Sequence, residues 1–334
     1  MKLRIVTLLL VAVCLSVVSS TALSMELTVY SARNEQLVKP IFDAYTKETG
    51  IRIRFLTDNE PALLQRLKAE GERTQADLLI TVDAGNLWHA ARENVLQAVD
   101  SPILRKNIPD HLRDLDGYWF GLSIRARTIV YNTNKVKPEQ LGTYQDLAGP
   151  QWKNRLLLRT SKKVYNQSLV AMLIAENGRE AAGSTVKGWV ENLAAPPFSN
   201  DTKVMESIAA GLGDVGIVNT YYFGRLIQEK PDLPLALFWA NQKEGGVHVN
   251  VSGAGVTAHA KNRDEAVRFL EWLSSPAAQG LFADANMEYP VNPEVKPHAT
   301  VAAWGDFQQN AINLANAGAL QADAIKLMDE AGYK

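Results

Sequence analysis

The chain has 334 residues with 35 Lys and Arg against 36 Asp and Glu, a near-balance that gives no electrostatic reason to expect nucleic acid or an anionic membrane as partner. Its single cysteine, Cys14, lies near the start, so the remainder can hold no disulfide, zinc–thiolate site, iron–sulfur cluster or cysteine nucleophile. The length suggests about two domains, and a chain of this size can stabilise its fold by apolar burial alone.

Residues 1–24 read as a secretory signal peptide: Lys2 and Arg4 precede the apolar run Ile5 to Val18, followed by small residues ending at Ala22, Leu23 and Ser24. The apolar stretch is short for a bilayer, and Val13 before Cys14 is not the small residue of a lipoprotein cleavage site. The mature chain is expected to start at about Met25, with 33 basic against 36 acidic residues and a formal charge of −3. The expected location of the exported chain is the periplasm.

From there strand and helix signals alternate. Leu27–Tyr30 is β-rich, and Leu37, Ile41, Phe42 and Tyr45 mark a helix that Gly50 stops and Pro40 weakens locally. Ile51, Ile53 and Phe55 alternate with arginines as in a half-buried strand. A helix begins at Pro61 with Leu63, Leu64 and Leu67 on one face, and Asp77–Val82 forms the next strand, giving βαβαβ. Further β-runs at Thr128–Tyr131, Arg155–Leu158, Val215–Val218 and Gly253–Thr257 extend the pattern, so the expected class is α/β with largely parallel sheets. Ligands of such folds favour clefts at the carboxyl ends of strands.

Two segments put tyrosines where a strand gives way to a helix. Tyr221 and Tyr222 follow Gly216–Asn219, with Thr220 a good N-cap for a helix through Phe223, Leu226 and Ile227. At a helix start adjacent side chains diverge by about 100°, so both could reach one ligand. Tyr165 opens an apolar-periodic helix with Leu169, Leu173 and Ile174. A phenolate there would benefit from the helix N-terminus. Taken alone, an adjacent Tyr pair is usually half-buried packing or a stacking surface; Tyr30, Tyr131, Tyr118 and Tyr144 sit in strand or turn patterns and read as packing residues. The five histidines, His89, His111, His248, His259 and His298, show no metal-motif spacing. No nucleophile elbow, P-loop or dinucleotide fingerprint occurs.

Several stretches together resemble the periplasmic iron(III)-binding protein family, the ferric-ion-binding component of ABC iron transporters: Thr28–Arg33, Ala76–Leu87, Trp119–Ser123, Arg125–Arg127, Tyr165–Leu169, Asn219–Tyr222 and Asn250–Gly255, in family order over nearly the whole mature chain. The resemblance implies an α/β, two-lobed type II periplasmic-binding-protein fold with a mixed, mostly parallel sheet in each lobe. The chain would cross between lobes near Arg125–Tyr131 and His248–Gly253. It divides the chain into a first lobe (25–124 and 249–300), a second lobe (125–248) and C-terminal helices (301–334) packing on the second.

The resemblance further implies a ferric ion held by Tyr165, Tyr221 and Tyr222. Phenolate oxygen suits a hard, highly charged cation. Open coordination positions would take a synergistic anion such as carbonate, with Arg125 first, Arg33 next and Arg127 last as its partners, since arginine pairs with planar oxyanions. Arg125 and Arg127 fall on one face of an extended strand and could both face the cleft; equally, one could pair structurally with a carboxylate. Where some relatives have His-Tyr, this chain has Asn34-Glu35, so a histidine ligand is absent. Glu35 could bind iron, or serve as a solvated first-turn carboxylate favouring the helix dipole. The implied partner is an inner-membrane ABC permease, and the implied state a monomer. Two other readings are a binding protein of the same fold for phosphate or sulfate, and a secreted α/β enzyme, for which no nucleophile–base constellation is found.

Overall fold

The structure, a computed structural model, describes residues 25–334; the signal-peptide reading of residues 1–24 lies outside them. The opening βαβαβ forms as the periodicity implies: β1 (Glu26–Ser31), α1 (Glu35–Thr49), β2 (Arg52–Thr57), α2 (Glu60–Glu70) and β3 (Leu78–Val82). Val38, Ile41, Phe42 and Tyr45 are the buried stripe of α1, and Gly50, at φ 77°, ends it by donating its N–H to the Thr46 carbonyl. Pro40 lies within α1, removing one backbone donor without breaking the helix.

Next come α3 (Ala84–Arg92), α4 (Pro102–Asn107), β4 (Phe120–Asn132), β5 (Leu156–Leu157), α5 (Val164–Asn177), α6 (Arg179–Glu191), α7 (Asp201–Ala209), β6 (Val215–Asn219), α8 (Thr220–Glu229) and β7 (Leu235–Phe238). The chain ends with β8 (Val249–Val256), α9 (Arg263–Leu273), α10 (Pro276–Asp284), β9 (Tyr289–Pro290), α11 (Ala299–Ala302), α12 (Ala315–Ala319) and α13 (Gln321–Glu330). Among the described residues no helix is long and apolar enough to cross a membrane.

The strands run in the order β2-β1-β3-β8-β4-β6-β5, with β7 and β9 also pairing with β4. Ladders β1–β2, β1–β3 and β5–β6 are parallel. Every ladder of β4 and β8 is antiparallel, which makes the sheet more mixed than the alternating strand and helix signals suggested. Periodicity carries no strand direction, and these two strands are buried along their whole length, without the alternation that would set them apart.

β4 is the shared element. Residues Phe120–Ala126 pair with β8, and from Arg127 onward β4 pairs with β6, with β7 joining from Ile129. Where the partners change, the Tyr144 hydroxyl donates to the Arg127 carbonyl and accepts the His248 N–H at 3.1 Å, filling the gap between the diverging strands. Close approach of β8 requires glycine: a Cβ on Gly253 would sit 2.4 Å from the Phe120 carbonyl oxygen, and one on Gly255 2.5 Å from that of Tyr118. In the C-terminal segment, α12 packs on both α3 and α5, and α13 packs on α5 and α6.

Candidate metal and anion site

Tyr165 is the second residue of α5, and Tyr221 and Tyr222 are the second and third of α8. Both helices follow strands of one sheet region, β5 and β6, which pair side by side. The two helix starts are therefore neighbours. Tyr221 Oη lies 3.3 Å from Tyr165 Oη, and the Tyr221 and Tyr222 rings approach to 4.4 Å between centroids at 31°. Tyr165 and Tyr221 are 8% and 6% exposed; Tyr222 is half-buried. The residue capping α8 is Asn219, not Thr220, and its side chain does not cap. Its Oδ1 instead accepts from Arg127 Nη1 at 3.2 Å.

Positive charge surrounds these phenols. The Arg159 guanidinium lies 5.3 Å from the Tyr165 ring centroid and 5.7 Å from that of Tyr222, with Nη1 3.5 Å from Tyr222 Oη. Arg125 and Lys163 approach the Tyr165 ring to 5.5 and 5.2 Å, and Arg225 approaches Tyr221 to 5.3 Å. Burial nevertheless dominates. It pushes the Tyr221 phenol well above its ordinary range, helped by the neighbouring phenols and opposed by Arg125; Tyr165 is also raised by burial against the pull of Arg125. Without a cation the two phenols are neutral.

The three expected arginines fare differently. Arg33 donates from Nη1 to Glu288 Oε2 at 2.9 Å and to Ser123 Oγ at 3.3 Å, while its buried Nε and Nη2 have no partner. Arg125, 2% exposed, donates to Ser252 Oγ at 3.2 Å and keeps Nη2 unpartnered. Both line the cleft. Arg127 does not: its guanidinium is consumed by Asn166 Oδ1 (2.9 Å), Asp201 Oδ2 (3.0 Å), Asn219 Oδ1 and the Ile217 carbonyl (3.2 Å). An anion partner needs free donors, and Arg127 has spent its own on holding the strand under α8.

Asp201 is fully buried and also accepts the Asn219 N–H at 2.9 Å, with Arg159 Nη1 at 3.7 Å. Asp201→Ala is expected to lower unfolding stability by about 3–5 kcal/mol, because it strands buried guanidiniums without a counter-charge. Urea denaturation of the iron-free protein measures it; a loss within about 0.5 kcal/mol, as at a surface site, would contradict this account.

The cleft has a volume of about 450 Å3 and is lined by Tyr165, Tyr221, Tyr222 and Arg225 together with Arg33, Arg125 and Glu288. Asn34 and Glu35 sit at its exposed edge. Arg159, Lys163, Arg225 and Glu288 escaped the sequence reading. The first two flank Tyr165 next to a β-run and could have been found there, whereas Glu288 is one carboxylate among 36 with no spacing signal.

None of the five histidines lines the cleft. His248 is buried beside Arg127 and Arg125, and burial holds its imidazole neutral, its pKa lowered to about 3. His298 accepts the Thr300 N–H at 3.2 Å as a helix cap. Among the described residues no three histidine, cysteine or carboxylate side chains cluster as a metal site.

Residues 74–306 match the protein family described as bacterial extracellular solute-binding protein. The chain is 42% identical over 315 residues to iron uptake protein A1 of Synechocystis sp., covering 92% of this chain and 88% of that one. The fold is similar to a Trichodesmium protein (IdiA, FutA) solved in complex with iron and citrate ligands, with a TM-score of 0.90, 42% identity, and coverage of 92% of this chain and 100% of that one. It is also similar to Mannheimia haemolytica ferric iron-binding protein A in an open conformation, with a TM-score of 0.88, 35% identity, and coverage of 92% and 99%.

Proposed function

We propose, from the premise that this chain belongs to the bacterial extracellular solute-binding protein family, that it captures ferric iron together with a synergistic anion and carries it to an inner-membrane ABC permease. The relatives named for iron uptake and ferric iron binding support the cargo, and the fold is the type II periplasmic-binding-protein fold. The protein acts as a monomeric periplasmic carrier rather than a catalyst, exported by cleavage near Met25.

The observation that carries the site is the meeting of three phenols at two helix N-termini in one cleft with two buried guanidiniums that keep unpartnered N–H groups. Tyr165, Tyr221 and Tyr222 supply phenolates that neutralise Fe³⁺. Arg125 and Arg33 supply positive charge and planar donors that match a doubly charged carbonate. Arg127 is left out because its donors are occupied.

The lobes in this reading are the sheet regions on either side of the β4 and β8 crossing: residues 25–124 with 249–300, and 125–248, with 301–334 packed on the second through α13 and on both through α12. The tyrosines and Arg125 belong to the second lobe by these bounds and Arg33 to the first, so iron and anion draw the lobes together by bridging Arg33 to the tyrosines.

Titration with ferric nitrilotriacetate, followed by quenching of tyrosine and tryptophan fluorescence, tests this directly. One iron per chain, bound more tightly with bicarbonate than without, is expected; no uptake would overturn the reading. Arg125→Gln is expected to weaken binding in bicarbonate about tenfold, the scale of one charge-assisted hydrogen bond, and to shrink the bicarbonate effect. An unchanged bicarbonate dependence would remove Arg125 from the anion site.

A further inference from the structure

Asp83, Ser168 and Asn250 each come from a stretch that carries the family resemblance and none of them lines the cleft, yet these side chains meet at one buried point. The Asp83 carboxylate accepts Ser168 Oγ at 2.7 Å, Asn250 Nδ2 at 2.9 Å and the Gly85 N–H at 2.9 Å. Asn250 Oδ1 in turn accepts the N–H groups of Ala84 and Val251, each at 2.8 Å, and the Asp83 N–H donates to the Val251 carbonyl at 2.8 Å. Asp83 and Ser168 are fully buried, and Asn250 is 5% exposed.

The network joins parts that iron capture has to bring into register. Ser168 is on α5, one helical turn beyond Tyr165. Asn250 is on the crossing strand β8, and its partner in the ladder is Arg125. Asp83 is at the corner between β3 and α3, next to Val82 on the cleft wall. A carboxylate satisfied from three directions fixes all three elements at once.

The backbone of Asp83 is the second observation. It has φ 79° and ψ 125°, a region that glycine enters freely and other residues rarely adopt. A side chain kept where glycine would be unstrained points to a task for that side chain. Capping α3 accounts for the bond to Gly85 alone; it does not account for the bonds to α5 and β8.

We propose that Asp83 is a positioning residue for iron capture, which through Ser168 and Asn250 locks the helix carrying Tyr165 to the strand facing Arg125, so that phenolate and anion-binding guanidinium arrive in one geometry. The inference rests on the iron-binding reading above. It touches neither metal nor anion, so it governs how long iron stays rather than what coordinates it.

The test compares full-length mature wild type, Ser168→Ala and Asp83→Gly, each loaded with iron in bicarbonate and then mixed with excess EDTA. Ser168→Ala deletes the tie to α5 with the smallest change of volume, and is expected to release iron about tenfold faster or more, as loss of a hydrogen bond to a charged group implies. Its visible absorption maximum should stay at the wild-type position because the ligands remain. Iron should raise its melting temperature by less than it raises that of wild type. Asp83→Gly relieves the backbone while removing the carboxylate, and should also release iron faster; it serves if Ser168→Ala does not fold.

A merely structural role lowers the melting temperature equally with and without iron and leaves the release rate at the wild-type value, and that result would overturn the proposal. Wild type that takes up no iron would sink the iron reading and this inference with it. Coloured wild type with unaffected variants would sink the inference alone.

Discussion

Tyr221→Phe and Tyr222→Phe are each expected to weaken iron binding by about 100-fold or more, while Tyr131→Phe leaves it within about twofold. Changes that only touch groups around a metal's ligands cost about 10–100-fold, and loss of an anionic ligand from a trivalent ion sets that as the floor. The substitution keeps each ring and its packing. The rings at 221 and 222 keep their tilted contact, and the chain loses only the oxygen. Tyr131 is a control of matched chemistry: it lies in β4, is 7% exposed and does not line the cleft. Competition against a chelator of known affinity measures all three. Equal affinities for Tyr221→Phe and wild type would mean that the tyrosine pair is packing after all.

Iron retention is expected to fall steeply below neutral pH. In the iron-free protein burial raises the Tyr165 and Tyr221 phenols above their ordinary value, so both carry protons at neutral pH. Ligation removes those protons, and the bound form therefore holds at least two fewer than the free form. Linkage then gives the sign: each unit of pH lowered favours the free form by up to about tenfold per proton displaced, or about 100-fold for two. Dialysis at pH 7.5, 6.5 and 5.5 against a fixed ligand, with correction for the chelator's own protonation, measures the slope. A flat profile would show that the donors carry no displaceable proton, which contradicts phenolate ligation. Arg125 and Arg159 sit against the Tyr165 ring, and their charge limits how far burial raises its phenol.

How much of this was legible in the sequence follows from what each signal physically encodes. The βαβαβ start was readable because Ile51, Ile53 and Phe55 alternate with arginines and because the buried stripe of α1 recurs at helical spacing. β4 was only partly readable. All 13 of its residues are buried, so no alternation marks where it begins, and its changes of partner at Arg127 leave no local trace.

The tyrosine positions at helix starts were visible in the residues themselves, but their joint use was carried by the family resemblance. Thr220 was a reasonable cap by residue type; the helix starts one residue earlier, with Asn219 at the cap position and its Oδ1 accepting from Arg127 instead of capping. That same buried demand explains Arg127. Strand alternation put it on the face of Arg125, and only the folded structure shows Asp201, 74 residues away, claiming its guanidinium. Glu288 meets Arg33 across 255 residues, a distance over which spacing carries no information.

The central claim is that tyrosine phenolates hold ferric iron, and the visible absorption spectrum of the purified protein on addition of Fe³⁺ tests it most directly. Phenolate-to-iron charge transfer is expected to produce a visible band that saturates at one iron per chain, is diminished in Tyr222→Phe and disappears on acidification. A protein that binds iron stoichiometrically without any visible band, or that keeps the full band after Tyr221 and Tyr222 are both replaced by phenylalanine, would contradict it.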